Sequence, residues 1–484
     1  MSDNLKNKTE KALIWSFVDK FGQQILYFIS GVILANLLMP SDYGKVGLLA
    51  LFTAMSNILI DSGFGSALIR KREASDADYS TIFYFNILLS VLFYLILFFC
   101  APLLAEFFGI PELTSIARIL FIAIIFQAFG IIQQTRMFKY IHFTYLARIN
   151  IFSLAISSTV AVCMALNGFG VWALVIQPVG MAFIKAVLLW YYGNWRPKFI
   201  FRIASIKEFS RYSSNLLGTG LLNTVFNNIY PLLIGKGFST AAVGFYTQAN
   251  KFQDIPSALI GNIFRSVAFP VLSSINDDRE RLLRVFGKYI RTTAFFIFPI
   301  MGLMILVAKP FILALITAKW AESIPMLRIL SIAGAFSPLI ILYYDIFNTI
   351  GRSDVNFRME IIKKLLLISG IVICLCAGWG IMSLIWLWVI YTLLSLTATC
   401  IISDIMVGYK IKNFISDIIP YLLLTLLAMA CSSLCYLVFS NNWLLLISIL
   451  LLFTAIYIGV AAILRLEVWR ECYSLLIRKA QKHE

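Results

Sequence analysis

The sequence predicts an all-α membrane protein of about fourteen transmembrane helices, arranged as two pseudo-symmetric six-helix lobes followed by two C-terminal helices. Three observations predict it: an apolar composition, apolar runs of spanning length, and an internal repeat. Of 484 residues, 60% are hydrophobic and 13% charged, whereas soluble domains run near half apolar and a quarter charged. A soluble fold could not bury so much apolar surface. At roughly 20 residues per span, fourteen helices account for most of it.

Charge and Gly/Pro punctuation bound the runs at approximately 11–38, 43–69, 79–105, 114–135, 141–166, 169–192, 208–236, 241–273, 283–308, 322–349, 355–377, 380–404, 415–439 and 442–464. The first begins near Lys11, exceeds a signal-peptide core and lacks a small-x-small cleavage site, so it reads as an uncleaved helix. No run alternates as barrel strands do.

Lys and Arg cluster in alternate connections: Arg70 to Arg72; Arg136 and Lys139; Arg196, Lys198, Arg202, Lys207 and Arg211; Arg279 to Arg291; Arg352, Arg358, Lys363 and Lys364; Lys410 and Lys412; and Arg465 to Lys482. The intervening connections carry few, chiefly Lys45, Lys236, Lys309 and Lys319. The positive-inside rule then places both termini in the cytoplasm. The net charge of +16 is thereby a topology signal reinforced by anionic inner-leaflet lipids, and nucleic acid is not an expected partner. The eight cysteines lie in or beside apolar runs, and the two histidines, His142 and His483, offer no metal-ligand spacing. No cofactor or metal is expected, and no Walker motif appears.

Displaced by about 200 residues, Leu37 to Gly44 falls on Gly237 to Gly244. With a shift of about 208 to 210, Pro102 meets Pro310, Arg118-Ile119-Leu120 meets Arg328-Ile329-Leu330, and Arg148 meets Arg358. An even number of spans between repeats relates the halves by an axis along the membrane normal. The expected organisation is an N-lobe at 1–193, a linker at 194–208, a C-lobe at 209–406, helices 13 and 14 at 407–464, and a basic cytoplasmic tail at 465–484. Two such lobes around a cavity suit a transporter.

An ionisable group at the centre of a span costs roughly 2.5–3.5 kcal/mol, so it faces water or a partner. Helix 1 carries Asp19, Lys20, Gln23 and Gln24, with Lys20 and Gln24 on one face; helix 2 carries Asp61; helix 7 carries Asn223, Asn227 and Asn228. On helix 8, Lys251, Asp254, Ala258, Asn262 and Arg265 align into one stripe, the pattern of a cavity wall. Counted from the helix ends, Lys20, Asp61 and Arg265 lie about 12–14 Å deep and could share a layer. Lys20 and Arg265 are expected to receive a diphosphate from the inner leaflet. Asp61 could instead pair with Lys20. Asp254 is a protonatable coupling candidate whose plainer reading is an ion pair with Lys251. Arg118 and Arg328 read as interfacial anchors, and Asp345 is left open.

The words Leu38-Met39-Pro40-Ser41-Asp42-Tyr43-Gly44, Asp61-Ser62-Gly63-Phe64-Gly65-Ser66-Ala67-Leu68-Ile69 and Gly244-Phe245-Tyr246-Thr247-Gln248-Ala249-Asn250, followed by Pro256 and Pro270-Val271-Leu272-Ser273, resemble the polysaccharide transporters. These are the Wzx-like flippases of the multidrug/oligosaccharidyl-lipid/polysaccharide superfamily. The resemblance implies an undecaprenyl-diphosphate-linked oligosaccharide moved by alternating access in lipopolysaccharide, capsule or exopolysaccharide synthesis. Its implied partners are that lipid, the surrounding membrane lipids, and glycan polymerase and export machinery. It maps a cation-lined cavity onto Lys20, Lys251 and Arg265. The alternatives are a cation-coupled multidrug exporter, which would want an acidic cavity, and a membrane polymerase or ligase, which would want a substantial exterior loop.

Overall fold

The computed structural model describes the backbone of residues 2–61, 64–71 and 73–480, and their side chains except at 2–14, 17, 61, 208–216, 219, 353 and 475–480. The side chains of Lys11, Asp61 and Arg211, together with Gly63, Arg72, Lys482 and His483, therefore lie outside the described residues.

The elements are helices α1 (Ser2–Leu37), α2 (Pro40–Asp61), α3 (Phe64–Arg70), α4 (Asp76–Phe108), α5 (Leu113–Leu120), α6 (Ile122–Lys139), α7 (Phe143–Leu166), α8 (Val171–Tyr192), α9 (Ile203–Gly237) and α10 (Thr240–Ser274). They continue as α11 (Arg279–Leu315), a 3-10 turn (Ala318–Trp320), α12 (Ser323–Thr349), α13 (Ser353–Cys376), α14 (Ile381–Met406), α15 (Ile411–Ser433), α16 (Cys435–Val438), α17 (Asn442–Ile463) and α18 (Glu467–Ala480). Among the described residues, eleven helical segments are long and apolar enough to cross a membrane. The remaining three expected spans fall on α1, α9 and α13, helices of comparable length that contain residues outside the described ones.

The chain divides into two compact units, Met1–Gly244 and Phe245–Glu484. In the first, α1 packs on α7, α7 on α8, α8 on α6, and α9 on α2. The 194–208 segment belongs to this unit. Asp78 fastens it: within the capping box of α4, it also accepts Ser205 Oγ at 2.7 Å and pairs with Lys71 at 3.1 Å, while Lys198 pairs with Asp76 at 2.7 Å.

In the second unit, α11 is central, with α12, α15 and α17 against it. Phe286 lies 5.2 Å from Tyr343 and 5.0 Å from Tyr409, and Tyr343 lies 5.8 Å from Phe414, giving one aromatic core across these helices. The two C-terminal helices therefore share this unit's core. The basic tail docks through its acidic groups: Arg291, which also holds Asp417 of α15 at 2.8 Å, holds Glu467 at 3.1 Å, and Lys288 holds Glu471 at 2.6 Å. Burial, then a hydrogen bond to Asp417, pushes the Tyr409 hydroxyl above the usual tyrosine range, so it remains a donor. Lys363, counted above as a loop cation, is buried and paired with Glu360 at 3.0 Å.

The repeat is visible in helix ends. Gly168 and Gly378, both left-handed, close α7 and α13 with matching bonds: Gly168 N to Ala165 O and Phe169 N to Met164 O, Gly378 N to Leu375 O and Trp379 N to Cys374 O, all 3.1 Å. Within the first unit, the starts of α2 and α10 approach reciprocally. A Cβ on Gly44 would strike the carbonyl of Thr240, and one on Gly244 would strike the carbonyl of Pro40. Gly44→Ala and Gly244→Ala should each lower stability by about 1–3 kcal/mol, because backbone cannot step aside as a side chain can. Thermal unfolding in detergent checks this against Gly459→Ala, where a Cβ meets nothing within 4 Å and little change is expected.

Candidate functional site

In the first unit, α1, α2, α3, α6 and α8 enclose a cavity of about 720 Å³. Tyr27, Thr53, Asn57, Gln127, Gln134 and Thr135 give it a polar lining, and among the described residues Lys185 is the one charged group in the wall. Pro178 lies two turns before Lys185 on α8 and also lines the space. Counted from the end of α8 at Tyr192, Lys185 is about 10 Å into the helix. Tyr27 donates to Met181 Sδ at 3.0 Å, fixing α1 to α8 at the cavity edge.

The nearest carboxylate is already engaged. Asp19 accepts Gln23 Nε2 at 2.7 Å and Asn150 Nδ2 at 3.0 Å, and its charge reaches Lys185 without a salt bridge. Among the described residues, Lys185 makes no hydrogen bond or ion pair. An ammonium in a low-dielectric wall needs solvent or an anion, so this cavity is built to admit one or the other.

The residues expected from sequence fall differently. Lys20 is exposed and Gln24 half-buried, and neither lines the cavity; Asn223 and Asn227 are exposed on α9. The α10 stripe is present in the second unit: Lys251, Asp254, Asn262 and Arg265 are exposed, while Gln253 and Ser257 are buried. Ser257 Oγ donates to Gly334 O of α12 at 3.0 Å. Among the described residues, Lys251 and Asp254 form no ion pair.

Arg265 is engaged where none was expected. Its Nε meets Asp345 Oδ1 at 3.3 Å; Arg265 is 59% exposed and Asp345 only 2%, with Oδ2 left without a hydrogen bond. Arg265 thus neutralises a buried carboxylate with one edge of its guanidinium. Sequence reasoning missed Lys185 although its signal was plain: a lone charge inside Val171–Tyr192.

Helices of spanning length around a polar cavity define a multi-span membrane protein. The chain belongs to the polysaccharide biosynthesis protein family, whose model matches residues 33–325. It is 27% identical to the teichuronic acid biosynthesis protein TuaB of Bacillus subtilis (strain 168), over 74% of each chain. It is 24% identical to the succinoglycan biosynthesis transport protein ExoT of Rhizobium meliloti (strain 1021), over 84% of this chain and 80% of that one. The fold matches the lipid II flippase MurJ in an inward closed conformation with a TM-score of 0.75 at 16% identity, over 93% of this chain and 98% of that one.

Replacing Arg265 alone confounds binding with folding, because a buried Asp345 left unpaired costs on the order of 1–3 kcal/mol or more. Arg265→Ala should therefore lower the unfolding temperature, and Arg265→Ala with Asp345→Asn should regain most of the loss. A double variant no more stable than the single one contradicts the pairing.

Proposed function

We propose that this transporter carries undecaprenyl-diphosphate-linked glycan units from the inner to the outer leaflet of the bacterial cytoplasmic membrane by alternating access, with both termini in the cytoplasm. The observation that carries the reading is Lys185, a cation with no ion-pair partner among the described residues, in the polar cavity of a polysaccharide biosynthesis family protein. A desolvated ammonium attracts a diphosphate and repels the cationic substrates of a drug exporter.

Lys20, Gln24, Asp61, Asn223, Asn227, Lys251, Asn262 and Arg265 are the further proposed contacts along the path. Asp254, exposed and unpaired with Lys251, is the proposed ion-coupling carboxylate. The lobes on either side of the 194–208 segment are the proposed moving parts. A chain of this kind does no bond chemistry itself; glycan polymerase and export machinery would take the product on the far side.

The test uses a strain deleted for the gene. Wild type should restore outward-facing lipid-linked glycan, while Lys185→Met, inserted at normal levels, should leave at least about 90% of it facing the cytoplasm, a tenfold loss equivalent to about 1.4 kcal/mol. Full outward delivery by Lys185→Met would remove Lys185 from the mechanism. Normal delivery in the deletion strain itself would refute the flippase reading.

A further inference from the structure

A second cavity in the first unit, about 550 Å³, lies at the membrane face that carries the basic loops, apart from the Lys185 cavity. Its wall is formed by the end of α6, the turn at 140–142, the start of α7, the end of α8 and the chain just after it. The volume falls in the range of small-ligand sites, roughly 300–1,000 Å³. The lining is aromatic and polar together: Tyr140, Tyr145 and Tyr192 with Arg136, His142 and Asn194.

The geometry of these groups is convergent. Tyr145 of α7 and Tyr192 of α8 are 5.7 Å apart, and His142 is 6.2 Å from Tyr145. The Arg136 guanidinium lies 5.6 Å from the Tyr140 ring and 5.8 Å from that of Trp195, held among aromatic faces as cations are. Tyrosines of an interfacial belt point outward to lipid headgroups, whereas these line one concavity.

The turn that places Tyr140 and His142 is strained. Ile141 has φ 61°, a left-handed conformation unusual for a β-branched residue. Its repeat counterpart, Gly351, makes the same closure with φ 76°: Gly351 N to Asn348 O at 3.1 Å and Arg352 N to Phe347 O at 2.9 Å, against Ile141 N to Phe138 O at 3.2 Å and His142 N to Met137 O at 2.8 Å. Glycine adopts this turn freely in the second half, and the first half keeps isoleucine against the conformational cost. Retained strain of this kind concentrates where a side chain must be held for a ligand.

We propose that this cavity is a carbohydrate subsite that holds the sugar portion of the substrate before it is moved. Sugar rings present apolar C–H faces that fit tyrosine rings, and their edge hydroxyls suit Arg136, His142, Asn194 and the phenol groups. The subsite deepens the flippase reading and rests on it: the Lys185 cavity takes the diphosphate, and the aromatic cavity takes the glycan.

The experiment uses full-length protein in detergent, with the repeat-unit oligosaccharide of the host strain, released from its lipid diphosphate by mild acid, as the probe. Binding is read from intrinsic fluorescence, and transport of the intact lipid-linked glycan is measured in parallel. Wild type and Lys185→Met should bind the released glycan alike, and Tyr145→Ala with Tyr192→Ala should weaken binding at least tenfold. Both tyrosines are about 45% exposed, so their loss should leave the fold intact, and Tyr145→Phe with Tyr192→Phe should restore binding. A wild type that transports the lipid-linked glycan but does not bind the released oligosaccharide, or an alanine variant that binds it as tightly as wild type, overturns the subsite and leaves the flippase reading standing. A wild type that binds the oligosaccharide at these tyrosines but transports nothing supports the subsite and overturns the flippase reading.

Discussion

The reciprocal approach of Gly44 to Thr240 and of Gly244 to Pro40 is the constraint on which the architecture turns. Each glycine lies one helical turn inside its own helix and meets the first residue of the other. Helices that meet backbone to backbone gain close packing without side chains, the means by which apolar helices associate in lipid, where no hydrophobic drive separates them from acyl chains. Because each partner supplies both the glycine and the opposing carbonyl, the two sequence stretches must match in spacing. That requirement accounts for the match of Leu37 to Gly44 with Gly237 to Gly244.

Within a frame of this kind, the placement of charge becomes the specific content. A carboxylate inside the bundle is tolerated when amides satisfy it, as Gln23 and Asn150 satisfy Asp19, or when a cation neutralises it, as Arg265 does Asp345. Among the described residues, Lys185 receives neither treatment. The engaged Asp19 attracts it over a distance but does not cap it, so the ammonium is left to whatever enters the cavity. The same economy appears at the tail, where α18 is held by Glu467 and Glu471 although its composition is basic.

Much of this was legible in the sequence. The helix order follows from apolar runs. The matched Gly44 and Gly244 were visible as aligned residues before their contact was known, and the stripe on α10 follows from spacings of three and four. What pattern could not give is pairing across elements. Asp345 acquires its role only through Arg265, eighty positions away, and Lys363 looks like a loop cation until Glu360 is seen beside it. Lys185 was passed over because a stripe of polar residues is easier to read than one charge in an apolar helix. The expected Lys251 and Asp254 pair is not formed among the described residues, because three-residue spacing permits contact without requiring it.

The central claim, that this chain alone moves a lipid-linked glycan, is tested most directly with purified protein in liposomes carrying a radiolabelled undecaprenyl-diphosphate oligosaccharide. The fraction open to an added, membrane-impermeant glycosidase is measured over time. The account predicts that the protected pool drains into the accessible one only when the protein is present, and drains slowly with Lys185→Met. Identical protection in liposomes with and without the protein would contradict it.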